Sequence, residues 1–242
     1  MSPTRRTAVT AGVFFLITEI AAIAGLVLYR PALTDADYVL GAGADPRVLL
    51  GGFFELILVG AIVGTAVTLY PVVRRQHHAA ALGYLCVRVL EAVVIVVGIL
   101  SVLSVVTLRR DVAGTAGADD ASLVTAARAL VALHDWAFLL GPNVALGANS
   151  LLLALLLYRS RMAPRSITVL GLVGGPLICA SATAVLFGLY DQVSTWGALA
   201  ALPVFAWEVS LAGYLILRGF APAAAPGGDV PTGPVRAELS AG

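Results

Sequence analysis

The sequence predicts an all-α membrane protein, a polytopic bundle of six transmembrane helices with both termini cytoplasmic. Three observations predict it. Charged residues make up 12% and hydrophobic residues 60% of the 242 positions, against about 25% and 45–50% in soluble domains. Mean hydropathy is +0.95. The apolar residues fall in six blocks, about 8–28, 48–70, 80–106, 132–158, 166–189 and 196–217. Each is long enough for the roughly 20 residues that cross a bilayer core. The alternation of a barrel strand is absent, and helices satisfy their own backbone groups in lipid.

The first block follows Arg5-Arg6, and Ala22-Ile23-Ala24 has the form of a signal-peptidase site. Glu19 interrupts the apolar run and five further spans follow, so an uncleaved helix is expected. The second block carries Gly60 and Gly64, and the fifth Gly171 and Gly175, at the four-residue spacing that lets helices approach closely. Before the fourth block, Asp119-Asp120 and Ser122 can cap a helix, with Leu123, Ala127, Leu130 and Leu133 on one face. That segment is expected at the interface or as an outward extension of the fourth span. Pro203 in the sixth block can loosen the backbone ahead of Glu208. Residues 1–220 form the transmembrane domain, and 221–242, rich in Ala, Pro and Gly, form an expected disordered cytoplasmic tail.

Orientation follows from arginine, which supplies all fifteen basic residues. Nine (Arg5, Arg6, Arg74, Arg75, Arg159, Arg161, Arg165, Arg218 and Arg236) fall on the side of the termini and five (Arg30, Arg47, Arg109, Arg110 and Arg128) on the other. The richer side is expected to be cytoplasmic. A net charge of +1 without a basic run gives no electrostatic case for nucleic acid. The bilayer is the expected partner, and oligomeric state is left open.

Soluble chemistries find no purchase. The chain has no HExxH, P-loop, strand-linked GxGxxG or GxSxG. Cys86 and Cys179 lack CxxC spacing and are expected as buried small hydrophobes. His77-His78 reads as a solvated loop, and a haem with paired axial histidines would find only His134 within the spans. No metal site is expected, and no cofactor is indicated.

Seven ionisable residues nevertheless lie within the spans: Glu19, Glu55, Arg88, Glu91, His134, Asp135 and Glu208. An Asp or Arg near a helix centre costs about 2.5–3.5 kcal/mol on insertion scales. Glu19, Arg88, Glu91 and Glu208 together therefore cost on the order of 10–14 kcal/mol. Fold class requires none of this, so these residues are site candidates facing the bundle interior. Arg88 and Glu91, three apart, can pair on one face. Asp135, Pro142 and Asn149 recur every seven residues, with His134 beside their stripe. Gly51 and Gly52 share the face of Glu55. Glu55 and Asp135 fall in the outer half, so the implied cavity is central and opens outward. Five carboxyls face one Arg and one imidazole, and acids in excess of their partners keep their protons in hydrocarbon. That is the chemistry of a general acid or a proton carrier.

Arg88-Val89-Leu90-Glu91, Leu133-His134-Asp135-Trp136-Ala137-Phe138, Arg159-Ser160-Arg161 with Pro164-Arg165, Pro203 with Glu208, and Gly219-Phe220 together resemble the bacterial membrane proteins catalogued as domain of unknown function 4386. The resemblance covers about residues 8–220 and implies six helices, a bacterial cytoplasmic membrane and no established activity. The all-Arg, Ala-rich composition resembles that of high-GC actinobacteria.

Three functions stand open. One is a membrane-embedded acid–base enzyme on a lipophilic substrate. Asp135 and Glu208 would be its acids, Glu55, Glu91, Arg88 and His134 further catalytic candidates, and Arg88, Asn149 and Glu19 substrate-binding candidates. Another is a small proton-coupled transporter in which Arg88 holds an anionic small molecule, although no inverted repeat is legible. The third is a structural or accessory protein whose polar centre fixes helix packing.

Overall fold

A computed structural model describes residues 2–35, 37–41, 45–112 and 119–221. All but the first residue of the expected tail lies outside the described residues. Helix α1 covers Pro3–Thr34, α2 Asp45–Val73, α3 His78–Val112 and α4 Asp120–Leu139. A π-helical turn, Leu140–Ala145, joins α4 to α5, Leu146–Ser160, and α6 (Arg165–Leu186) and α7 (Thr195–Leu217) follow. Because α4, the π turn and α5 run as one unit over Asp120–Ser160, six helical units are long and apolar enough to cross a membrane. No strand occurs among the described residues.

Helix ends follow local chemistry. Ser2 caps α1 by accepting from Arg5 N at 3.3 Å, with Pro3 in the first helical position, where its missing N–H costs nothing. Asp119 caps α4 by accepting from Ala121 N at 3.3 Å and Ser122 Oγ at 2.5 Å. The 119–131 segment is thus the outward extension of the fourth span. Of its expected apolar face, Ala127 is buried while Leu133 is exposed. At the far end of the chain, Arg5 donates to the carbonyls of Leu215 at 2.8 Å and Ile216 at 2.5 Å, closing the last turn of α7. Gly219 then turns the backbone at φ +80°.

Consecutive spans pack side by side, and α7 returns to α1, closing a ring. Helix α3 touches α1, α2, α4 and α5, and its Arg88 and Glu91 are buried inside the ring. The ring has a terminal face, carrying residues 2 and 221, and a loop face, carrying the ends of α1 and α3, the starts of α2 and α4 and the 187–194 connection.

Small residues set the closest approaches. A Cβ on Gly175 would meet the Gly147 carbonyl of α5 at 2.6 Å, and one on Gly171 the Trp207 indole of α7 at 2.7 Å. Gly64 packs against Phe14 of α1, but Gly60 has nothing within 4 Å, so only one member of that pair serves packing. Cys86 is exposed on the bundle surface and Cys179 half-buried, rather than both buried. A weakly polar thiol is as well solvated by acyl chains as by a core. Helix α7 continues through Pro203 without a break.

The π turn overturns one expectation. A continuous α-helix would align Asp135, Pro142 and Asn149. Pro142 has no N–H to donate, and in this turn Leu146 N reaches back five residues to Gly141 O. The wider turn rotates α5 relative to α4. Asn149 is therefore 1% exposed, while the Asp135 side chain is 64% exposed, and it is His134 that turns inward.

Candidate functional site

The interior of the ring holds one ionic node. Arg88 of α3 is 1% exposed. Its Nη1 lies 3.3 Å from Glu91 Oε2, one turn on, and its Nη2 lies 2.7 Å from Glu208 Oε1 of α7. Asn149 of α5 donates through Nδ2 to Glu91 Oε2 at 2.5 Å. Three spans thus meet in one network, α3 and α7 at the guanidinium and α5 through Glu91. The Phe15 ring of α1 underlies Arg88 with its centroid 5.5 Å from Cζ, a cation–π seat.

Two further carboxyls face the node without a hydrogen-bonded base of their own. Glu19, one turn beyond Phe15, sits beside Glu208. Glu55 of α2 lies where a side chain on Gly25 of α1 would otherwise be, since a Cβ there would overlap its carboxyl. Glu19, Glu55, Arg88, Glu91 and Glu208 all border one cavity of about 90 Å³. Five of the seven ionisable candidates are therefore brought together, from α1, α2, α3 and α7. A volume of this size holds about three waters, far below the roughly 300–1,000 Å³ of sites for drug-sized ligands.

The remaining two stand apart. His134 borders a neighbouring space of about 10 Å³, which shares Glu55, Ile95, Phe138 and Pro142 with the main cavity. Its ring stacks on Phe138 at 6.2 Å and meets the edge of Tyr29 at 5.9 Å. Asp135 points outward, its Oδ1 3.4 Å from His134 Nδ1. Among the described residues, no group of three or more His, Cys, Asp or Glu is placed to hold a metal ion.

Sequence reasoning missed Tyr29 and Gly25. Tyr29 is 1% exposed, with a hydroxyl that has no hydrogen-bond partner among the described residues. A signal for both was present: Thr18, Ala22, Gly25 and Tyr29 follow the 4-3-4 spacing of a single helix face. Thr18 and Ala22 line the cavity, and Gly25 faces Glu55.

A family model described as "Domain of unknown function (DUF4386)" matches residues 10–219. The matched stretch includes every ionisable residue of the cavity, and the chain belongs to this family. Neither a curated protein nor a solved structure matches it.

Proposed function

We propose that this member of the DUF4386 family is a proton-coupled transporter whose Glu19, Glu55, Glu91 and Glu208 take up and release protons around Arg88. The observation that carries the reading is the imbalance within one cavity, four carboxyls to one guanidinium. Four negative charges, those of Glu91 and Glu208 buried and those of Glu19 and Glu55 half-buried, against one positive charge cannot be held together in a space for a few waters. Bound protons close the balance. Glu208 is the coupling residue, because its carboxylate occupies Arg88 Nη2 at 2.7 Å. Protonation of Glu208 weakens that pair and frees a guanidinium edge for a small anion, which gives anion binding a reason to follow proton binding. The enzyme reading requires room for a lipid-sized substrate beside the acids, and the cavity volume counts against it.

Proteoliposomes loaded with a pH-sensitive dye test the proposal. Under an imposed gradient and with small carboxylate or phosphate anions supplied, the parent protein is expected to move protons faster than empty vesicles. Glu208→Gln and Arg88→Met should fall to the empty-vesicle rate. Proton movement by the parent at that rate under every anion tried would overturn the transporter reading.

A further inference from the structure

The polar site is closed on one side and stepped on the other. Toward the terminal face, Phe15, Leu69, Leu153, Leu211 and Leu215 form a buried apolar cluster directly behind the node, with the buried Tyr84 hydroxyl beside Arg88 within it. This cluster separates the node from a surface cavity of about 480 Å³ bordered by Thr7, Thr68 and Arg75. Toward the loop face the packing is different. The 90 Å³ cavity adjoins the 10 Å³ space beside His134. One turn further out, a cavity of about 230 Å³ opens between the ends of α1, α3 and α4, bordered by Asp35, Arg128 and Asp135.

We infer that Tyr29 and His134 form the route by which protons of the carboxyl cluster exchange with the loop face, and that in this conformation, with Glu208 on Arg88, the terminal face is shut to them, to be opened only by the rearrangement that transport requires. This rests on the proton-binding reading of the cluster and gives it a side. Tyr29 stands ten residues past Glu19 on α1, about 15 Å along the helix. Its buried, unpartnered hydroxyl lies on the side of α1 that meets α2, since a Cβ on Gly52 would come within 3.4 Å of it. Glu55 of α2 is near enough to act electrostatically on that hydroxyl. A phenol can receive and donate a proton at one oxygen, and an imidazole can do so through two nitrogens. The groups facing the route are Tyr29 and Glu19 from α1, Glu55 from α2, Arg88 and Glu91 from α3, and His134 from α4, with Glu208 from α7 at its inner end. Asp135 receives at the outer end, 3.4 Å from His134. The narrow step, about 10 Å³, is at the lower limit for a single bridging water and too small for a hydrated ion. Gly98 of α3 lines the step, and a Cβ there would sit in ordinary contact with His134 Cδ2 and Ala137 Cβ, both at 3.5 Å.

The test uses the full chain reconstituted in vesicles in one orientation, with the pH of lumen and medium set independently. A hydrophobic carbodiimide, dicyclohexylcarbodiimide, modifies protonated carboxyls in lipid, and mass spectrometry locates the adducts. With no carboxylate or phosphate anion supplied, so that transport does not run, labelling of Glu55 and Glu208 is expected to follow the pH at the loop face and to ignore the pH at the terminal face. Tyr29→Phe and His134→Phe are expected to slow that response severalfold without changing its end point. Labelling that follows the terminal face overturns the route while leaving proton binding intact. Labelling indifferent to pH on both sides overturns the proton-binding reading itself. The parent alone decides sidedness, so the test holds even where a variant fails to fold. An unslowed response in both variants overturns the roles of Tyr29 and His134.

Discussion

Two ionic clusters in this molecule use the same side chains to opposite ends. At the loop face Asp45 is gripped by Arg109 and by Arg110 Nε at 3.1 Å, with the Tyr38 hydroxyl donating to it at 2.9 Å. Arg109 also donates to Gly41 O at 2.8 Å, so the cluster pins the 37–41 turn to the end of α3. Among the described residues Arg109 and Arg110 share Asp45 there, and the Arg110 side chain is 53% exposed, so water reaches the charge. In the ring interior one Arg88 serves an excess of carboxyls, and the paired side chains are 2–5% exposed. Surplus charge is cheap where solvent reaches it. Inside the bundle only protons or a ligand can meet it.

Breaking each cluster separates the two cases. Arg88→Met leaves Glu91 and Glu208 buried without their base and should destabilise the protein by about 3–5 kcal/mol, read as thermal unfolding in mild detergent. Adding Glu208→Gln to that variant should recover part of the loss. An Arg88→Met protein as stable as the parent would mean that the node contributes nothing to the fold. Asp45→Asn should cost only about 0–1 kcal/mol, and its difference from the parent should shrink with added salt while that of Arg88→Met persists.

Smaller effects sharpen the contrast. Glu19→Gln and Glu55→Gln remove carboxyls that have no hydrogen-bonded base, so stability should stay within about 0.5 kcal/mol of the parent while proton movement falls. A large loss of stability in either would mark these acids as structural. The smallest effect is local. The Ser122 hydroxyl and the Ala121 N–H hold the Asp119 carboxyl below the usual carboxylate range. Its cap on α4 is therefore fully present above the ordinary aspartate range and lost as pH falls through the lowered value. Amide exchange at the start of α4 should accelerate there, and an Asp119→Ala protein should lack this pH response.

What the sequence disclosed and what it concealed have physical reasons. The spans were legible because hydrocarbon thickness fixes their length, and the Arg88–Glu91 pair because three residues in a helix make neighbours. The meeting of Glu19 and Glu208, at opposite ends of the chain, follows from α7 closing the ring on α1, which no local pattern encodes. The heptad linking Asp135 to Asn149 misled because Pro142 sits in a π turn, and a change of register leaves no trace in a count of sevens. Tyr29 was hidden by chemistry: near the end of a span a tyrosine usually anchors the interface, whereas here it is turned inward toward Glu55 and His134.

Infrared difference spectra of the protein in lipid nanodiscs, recorded between acidic and alkaline pH, test proton binding by the cluster most directly. The carbonyl band of protonated carboxyls should change with pH in the parent and lose intensity in Glu55→Gln and Glu208→Gln. A band indifferent to pH, or one unchanged by both substitutions, would contradict a proton-binding site around Arg88.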